Sequence, residues 1–296
     1  QRRYWRQVAA TDGFDVENVV IPPSMSGMIT GLMPYDCRGF ARYPYRDLVK
    51  NYASLGLHRY NLLKGTRFQF GDLQKLNMLQ NAVSSFYMTL RAYESGAPDS
   101  REQDTFQVRV DEKRYNHLDI TCSVARLKDE VTTKKPFIPH FHGGAAADGI
   151  FKGDLPDWPS DDDLKDEKRF YLVKKSEWEQ TDNNWILTYL KLLIFASDRS
   201  ITELIRPNSN LLSELEILKV AIETGVEDGK PPNERLKAKS ANVYIMFKGL
   251  AEARAGRQVF ESGEQVERKV IVRRVLDEHS GYLTLQGKFC DEPQSE

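Results

Sequence analysis

The chain has 296 residues, of which 40% are hydrophobic, 29% charged and 10% aromatic. That length supports a sizeable core, and the composition lies well outside the disordered class. Basic and acidic residues nearly cancel, to a formal net charge of −1, so the basic excess expected of a protein that grips phosphate backbones is missing.

In chain order, residues 1–43 show no long period and are rich in proline and glycine (Pro22, Pro23, Pro34, Gly27, Gly31, Gly39), which reads as an extended arm or loops. The start, QRRYWRQ, has no initiator methionine, which points to a fragment and leaves open a leader before it; the residues present show no apolar signal core. Residues 45–64 predict a helix, with Leu48, Tyr52, Leu55 and Leu62 near one face and Gly65 as its stop. The period then changes from 3.6 to 2. TRFQF, SSFYMTLRAY, TFQVRV and HLDITCSVAR alternate apolar and polar residues, which predicts four antiparallel strands with one buried and one wet face.

Residues 128–168 carry four prolines, four glycines and the run Asp161-Asp162-Asp163, and read as a linker. WILTYLKLLIFA, 185–196, is too short to cross a bilayer and contains Lys191, so a buried helix is the simpler reading. NLLSELEILKVAIETG, 210–225, also reads as a helix. Leu211, Leu215, Leu218 and Ile222 recur at helical spacing and could pair with a second copy of the chain. ANVYIMFKGL and the hairpin VERKVIVRRV–DEHSG–YLTLQGKF return to strand alternation, so helix followed by antiparallel strands occurs twice. The basic residues Arg268, Lys269, Arg273 and Arg274 fall on both parities and read as a solvated, edge-protecting strand.

Reactive motifs are sparse. PFIPHFHGG, 136–144, sets His140 and His142 at i, i+2, but further metal ligands at recognisable spacing are missing, and no G-x-S-x-G accompanies the glycines; it reads as wet linker. The three cysteines, Cys37, Cys122 and Cys290, are far apart and form no CxxC, which argues for a reducing compartment without a disulfide framework. Cys122 falls on the apolar parity of its strand and reads as core. No phosphate loop or dinucleotide fingerprint is present, and no cofactor is expected.

Helix followed by four antiparallel strands is the cystatin order, and YASLGLHRYN, 52–61, resembles the plant cystatin helix signature through Ala53 and Tyr60-Asn61. More closely, GLHRYNLLKGTRFQF, FYMTLRAYES, FQVRVDEKRYNHLDITCSVARL, PFIPHFHGG, KSANVYIMFKGLAEARAG and ERKVIVRRVLDEHSGYLTLQGKF resemble a crucifer-expanded plant family, the male-sterility-five type, over about residues 12–289. The resemblance implies an α+β fold: a cystatin-like helix packed on an antiparallel sheet, followed by a second helix-plus-sheet part. The expected division is an arm 1–43, a cystatin-like domain 44–127, a linker 128–170 and a second, degenerate part 171–290. It implies a non-catalytic, protein-binding role in male fertility and meiosis, in the nucleus, with the cytoplasm as an alternative or additional location. Protein partners, including a second copy, are expected, with neither nucleic acid nor a membrane span.

The alternative is an inhibitor of papain-type proteases. Its first wedge hairpin, Q-x-V-x-G, is matched at Gln80-Asn81-Ala82-Val83-Ser84 only by Gln80, and DEKRYNH lacks the Pro-Trp of the second. Ser84 replaces the glycine that lets backbone approach a protease closely. Tyr87, Arg91 and Tyr93, on the polar parity, are the other candidate interface residues, because aromatics and arginine enrich interfaces.

Overall fold

The computed structural model describes residues 1–25, 31–96, 103–130, 135–180, 184–202, 212, 215–225, 231–250 and 266–290. Ten strands form one antiparallel sheet: β1 (Met33–Asp36), β2 (Phe68–Met78), β3 (Ser85–Glu94), β4 (Asp104–Glu112), β5 (Leu118–Leu127), β6 (Phe170–Leu172), β7 (Glu216–Glu223), β8 (Ala241–Leu250), β9 (Val266–Leu276) and β10 (Leu283–Phe289). Their order across the sheet is β1-β2-β3-β4-β5-β10-β9-β8-β7-β6. The sequence strand-helix-four strands thus occurs twice along the chain, and the two series meet where β5 pairs antiparallel with β10.

One face of the sheet is covered by α2 (Arg46–Lys64) and α4 (Trp185–Ser197). In α2, Leu48, Tyr52 and Leu55 point into the core as their spacing predicts; Asp47 in the first turn and Lys64 in the last suit the helix dipole. Gly65 ends the helix at φ +70°, its N–H bonded to the Asn61 carbonyl. The Asn61 side chain then accepts from Phe68 N and donates to Phe68 O, both at 2.9 Å, which fixes the turn from helix into strand. α4 is apolar on nearly all sides and buried on nearly all sides. Its N-terminus is capped by Asn184, whose side chain accepts from Leu187 N at 3.2 Å. A single apolar cluster runs from Leu48 through Phe106 and Phe195 to Val272, so the helical layer and the sheet share one core.

The second face is also covered, and here several expectations change. The amino-terminal stretch is not irregular throughout. It contains a helix, α1 (Arg2–Ala10), and the edge strand β1. Tyr4 and Val8, one helical turn apart, are its only buried residues, too few to stand out as a period. They pack with Phe14, Val16, Leu79 and Tyr87 against the outer face of the sheet. Pro34 is tolerated in β1 because an edge strand needs no inward donor there.

Residues 135–165 are a strap tied to the same face rather than a wet linker. Ile138 O accepts from Arg109, Pro139 O from Tyr87 Oη and Gly143 O from Thr121, while Ala145 N donates to Thr284. Further on, the carbonyls of Phe151, Gly153 and Asp154 accept from Arg273 at 3.0, 2.7 and 2.8 Å. Leu164 and Trp158 end the strap against Phe170, Tyr244 and Ile271.

Residues 216–223 are strand β7, not a helix. The run is rich in β-branched residues (Ile217, Val220, Ile222), and it pairs with β6 on one side and β8 on the other. Leu211 lies outside the described residues. β9 is not an edge strand either. It lies between β10 and β8, and Arg268, Arg273 and Arg274 are buried. β6 and the short helix α3 (Lys175–Gln180) carry too little pattern to be predicted.

Candidate functional site

The turn between β2 and β3 carries the residues named for a wedge. Gln80, Asn81 and Ala82 are exposed, Val83 is half-buried and Ser84 is buried. Gln80 Nε2 donates to the Tyr35 hydroxyl of β1 at 3.1 Å. Ser84 Oγ donates to the carbonyls of Leu79 and Asn81 at 2.6 and 2.8 Å, closing the turn on itself. The turn between β4 and β5 lies at the same end of the sheet, two strand spacings away, on the order of 10 Å. Arg114, Tyr115, Asn116 and His117 are exposed in it, with Tyr115 at 52%.

The bases of the two turns are joined. Glu112 N donates to Ser84 O, and the buried Glu112 carboxylate accepts from Ser84 N at 3.0 Å, Tyr52 Oη at 2.7 Å and Arg199 Nη2 at 2.5 Å. Arg199 follows α4, so the later part of the chain reaches under these turns. Burial first, then the Glu112 charge, push the Tyr52 phenol well above its ordinary range and keep it a donor.

Of the other named residues, Tyr87 is buried rather than exposed: Phe14 and Phe137 pack on it, and the Arg109 guanidinium lies 4.7 Å from its ring centre. Arg91 is exposed and forks onto Asp72 of the neighbouring strand at 2.8 and 3.1 Å, while Tyr93 is half-buried. The structure therefore does not bring Tyr87 and Arg91 to the 80–84 turn as one surface.

The groups with chemical potential are mostly engaged. The His140 and His142 rings lie 4.3 Å apart, and His140 Nε2 is 2.8 Å from the Glu112 carbonyl. No group of three His, Cys, Asp or Glu that could hold a metal occurs among the described residues. Burial pushes the Cys37 and Cys122 thiols up to about 12, far from a reactive thiolate. His58 is stacked on Trp185, 5.4 Å between ring centres, and faces the buried Arg274. Burial and then Arg274 hold its pKa well below the usual imidazole range.

A second site lies where the two strand series meet. β5–β10 pairing stops at Cys122 and Leu283, although β5 continues to Leu127, so the seam opens between the end of β5 and the β9–β10 turn. From the helical side, Arg59 of α2 reaches into this gap. It donates through Nε to Gly281 O at 2.5 Å and through Nη1 to Ala125 O at 3.1 Å. On the strap side lies a cavity of about 450 Å³, bordered by Arg59, Arg109, Arg126, Lys135, Phe137 and Tyr282. Arg126 pairs with Asp12 at 2.9 Å; Arg109 forks onto the buried Asp111. Lys135 donates to Ser280 O and lies 4.5 Å from the Tyr282 ring centre.

None of these cationic residues stands out in the sequence, but a faint signal exists. The polar parity of β4 and β5 carries Gln107, Arg109, Asp111, Thr121 and Ser123. Among these five there is no lysine or glutamate, the residues that usually furnish a solvated face.

The fold and these two sites define an α+β protein built on one wide antiparallel sheet, with hairpin turns at one end and a cationic cavity at its central seam. A family model described as Protein MS5 matches residues 155–285. A UPF0725 protein of Arabidopsis thaliana is 59% identical over 293 residues, covering 98% of this chain and 94% of the relative. A second from the same plant is 52% identical over 337 residues, covering 98% and 88%. The crystal structure of MS5 from Brassica napus matches with a TM-score of 0.59 at 28% identity, over 84% of this chain and 98% of that one. The chain belongs to the UPF0725 family of plant proteins, of MS5 type.

Proposed function

We propose that this chain is a non-catalytic protein-binding module of plant reproductive development, acting in male fertility, and that each of its two helix-and-strand series is a cystatin-like unit. The observation that carries the binding role is the pair of turns at one end of the sheet: exposed tips at residues 80–82 and 114–117, standing on the ion pair of the buried Glu112 with the half-buried Arg199. Rigid loops on a rigid scaffold lose little entropy when a partner docks, and Tyr115 and Arg114 are residue types that anchor interfaces. The non-catalytic reading is supported by thiols raised to about 12 and by a buried, stacked His58. Family membership supports the male-fertility setting; meiosis and the nucleus are its finer expectations.

The same two turns support a second reading, inhibition of papain-type proteases, because a wedge needs two hairpins side by side. Against it, Ser84 is committed to closing its own turn.

A photo-crosslinking residue placed at Ala82 or Tyr115, with Leu172 on the opposite edge strand as control, tests the first reading in extracts of reproductive tissue. A partner crosslinked at 82 and 115 but not at 172 is the expected result. Labelling that is equal at all three positions, or absent, overturns it. Titrating papain with the same protein tests the second, which fails if activity is unchanged at micromolar protein.

A further inference from the structure

We propose that the cavity at the β5–β10 seam is a binding site for a small organic anion with a flat apolar body, an aryl carboxylate being the simplest member of the class. The site is independent of the turns at the other end of the strands, and stands or falls separately from the protein-binding role.

The argument begins with charge. Four cationic side chains border the cavity, Arg59, Arg109, Arg126 and Lys135, against one bordering carboxylate, Asp12. Asp12 is taken by Arg126, and Asp111, beneath, by Arg109. Arg59 and Lys135 have no carboxylate at ion-pair distance among the described residues; Glu130, whose charge reaches Arg59, is itself paired with Lys64. Arg59 is only 7% exposed, and a guanidinium buried without an anion is costly unless something compensates it. Its two carbonyl acceptors engage Nε and Nη1; Nη2 has no protein acceptor among the described residues. Arg109, also 7% exposed, is in the same position, with Nε and Nη2 held by Asp111 and Ile138 O and Nη1 left over. Two nine-tenths-buried guanidinium groups therefore border one cavity, each with a nitrogen to spare.

Preorganisation points the same way. The Arg109 guanidinium is clamped between the rings of Tyr87 and Phe137, at 4.7 and 5.8 Å from their centres. Arg59 is pinned between Ala125 of β5 and Gly281 of the β9–β10 turn, beyond the point where β5 and β10 stop pairing. Neither side chain has rotamer freedom to lose on binding, and a fork of N–H donors matches a carboxylate.

The remaining walls choose the body of the ligand. Phe137, Phe141 and Tyr282 present rings, the last two packed 4.9 Å apart. The volume is in the range of small-molecule pockets and far too small for a folded partner. Walls of this kind favour a planar apolar group over a bare inorganic anion, which would leave the rings facing water.

The test is calorimetric titration of the full chain with 2-naphthoate, 2-naphthamide and inorganic phosphate. The expected result is saturable naphthoate binding with a dissociation constant of about 1 mM or tighter, and amide binding roughly 10–100-fold weaker, the worth of a charge-assisted hydrogen bond. Lys135→Ala, at an exposed position, weakens naphthoate several-fold and leaves the far-UV circular dichroism unchanged. Ile138→Trp, which fills the cavity from its half-exposed rim, removes binding. Equal affinity for acid and amide overturns the charge argument. Phosphate binding as tight as naphthoate overturns the apolar body. No saturable binding of any probe to a folded protein overturns the site.

Discussion

Gly56 lies in the middle of α2, where alanine is the better helix former by about 1 kcal/mol. Helix propensity alone therefore predicts that Gly56→Ala stabilises the protein. The packing predicts the reverse. A Cβ at this position falls under 3.0 Å from Cβ and both γ-carbons of Val108 on β4, a side chain with no exposure. Because both methyl groups face the glycine and valine is stiff at χ1, rotation of Val108 cannot clear the space. The helix has to lift from the sheet, and overpacking of this kind costs about 1–3 kcal/mol. Set against the propensity gain, the net expectation is a loss centred on about 1 kcal/mol, read as a lowered midpoint in urea unfolding followed by circular dichroism. Val108→Ala alone costs about 2 kcal/mol through two lost methyl groups and their cavity. In the double variant the new methyl occupies that cavity, so the two effects fall short of additivity by at least about 1 kcal/mol. A Gly56→Ala protein as stable as the parent, with effects that add, would show that this glycine does not set the helix–sheet distance.

Replacing Arg273 by Met leaves four strap carbonyls and the Asn242 side chain without their buried donor; the expectation is a loss of about 3–5 kcal/mol and protease cleavage within residues 135–165 under conditions where the parent is intact. His58, with its pKa held well below the ordinary imidazole range by burial and then Arg274, stays neutral when the unfolded chain takes up a proton, so stability is full above pH ~6.5 and falls as pH drops below it, by up to about 1.4 kcal/mol per unit. His58→Gln should flatten that slope in unfolding measured between pH ~5 and 7; an unchanged slope refutes the assignment. Native protein should release one thiol to a disulfide reagent at neutral pH, Cys290, which is half-buried, and three in denaturant, because Cys37 and Cys122 are buried and raised to about 12. Ser84→Ala removes the hydroxyl that bonds to the Leu79 and Asn81 carbonyls and accepts from Asn81 N, and should cost about 1–2 kcal/mol.

The elements with a clean period were legible. α2, α4 and the strands from Phe68 to Leu127 carry enough apolar residues at fixed spacing to declare both their type and their inward face. α1 failed because two buried residues make no period, and β7 because ILKVAI, within 216–223, satisfies either template over so short a stretch. The seam cavity was not legible because its residues come from the stretch after α1, from α2, two strands, the strap and a turn, and range from Asp12 to Tyr282. Periodicity reports which face of an element is apolar, and says nothing about which arginine will meet which carbonyl.

The strap explains why this sheet uses arginine where a wet face would use lysine or glutamate. A strap crossing a sheet in extended form directs some of its carbonyls at the sheet, and buried carbonyls need donors. The strand backbones cannot supply them, since their N–H groups serve the neighbouring strands. Side chains must do so, and arginine alone offers a rigid fork of five donors that stays charged when buried. Arg109 and Arg273 fill that role at the two ends of the strap, each backed by a partner on its own face, Asp111 for one and Asn242 for the other. Arg59 and Arg274 do the equivalent from the helical side, satisfying carbonyls at the open seam and at Leu236 and Ala238. Arg59 separates from this pattern by its place: Arg109 has Asp111, and Arg273 and Arg274, like Arg59, are held by neutral acceptors, but of these three Arg59 alone borders the open cavity. A buried charge held in place by neutral acceptors is fixed in position but not neutralised, and where such a charge borders an open cavity, at the seam rather than at the histidine pair, a small anion would bind.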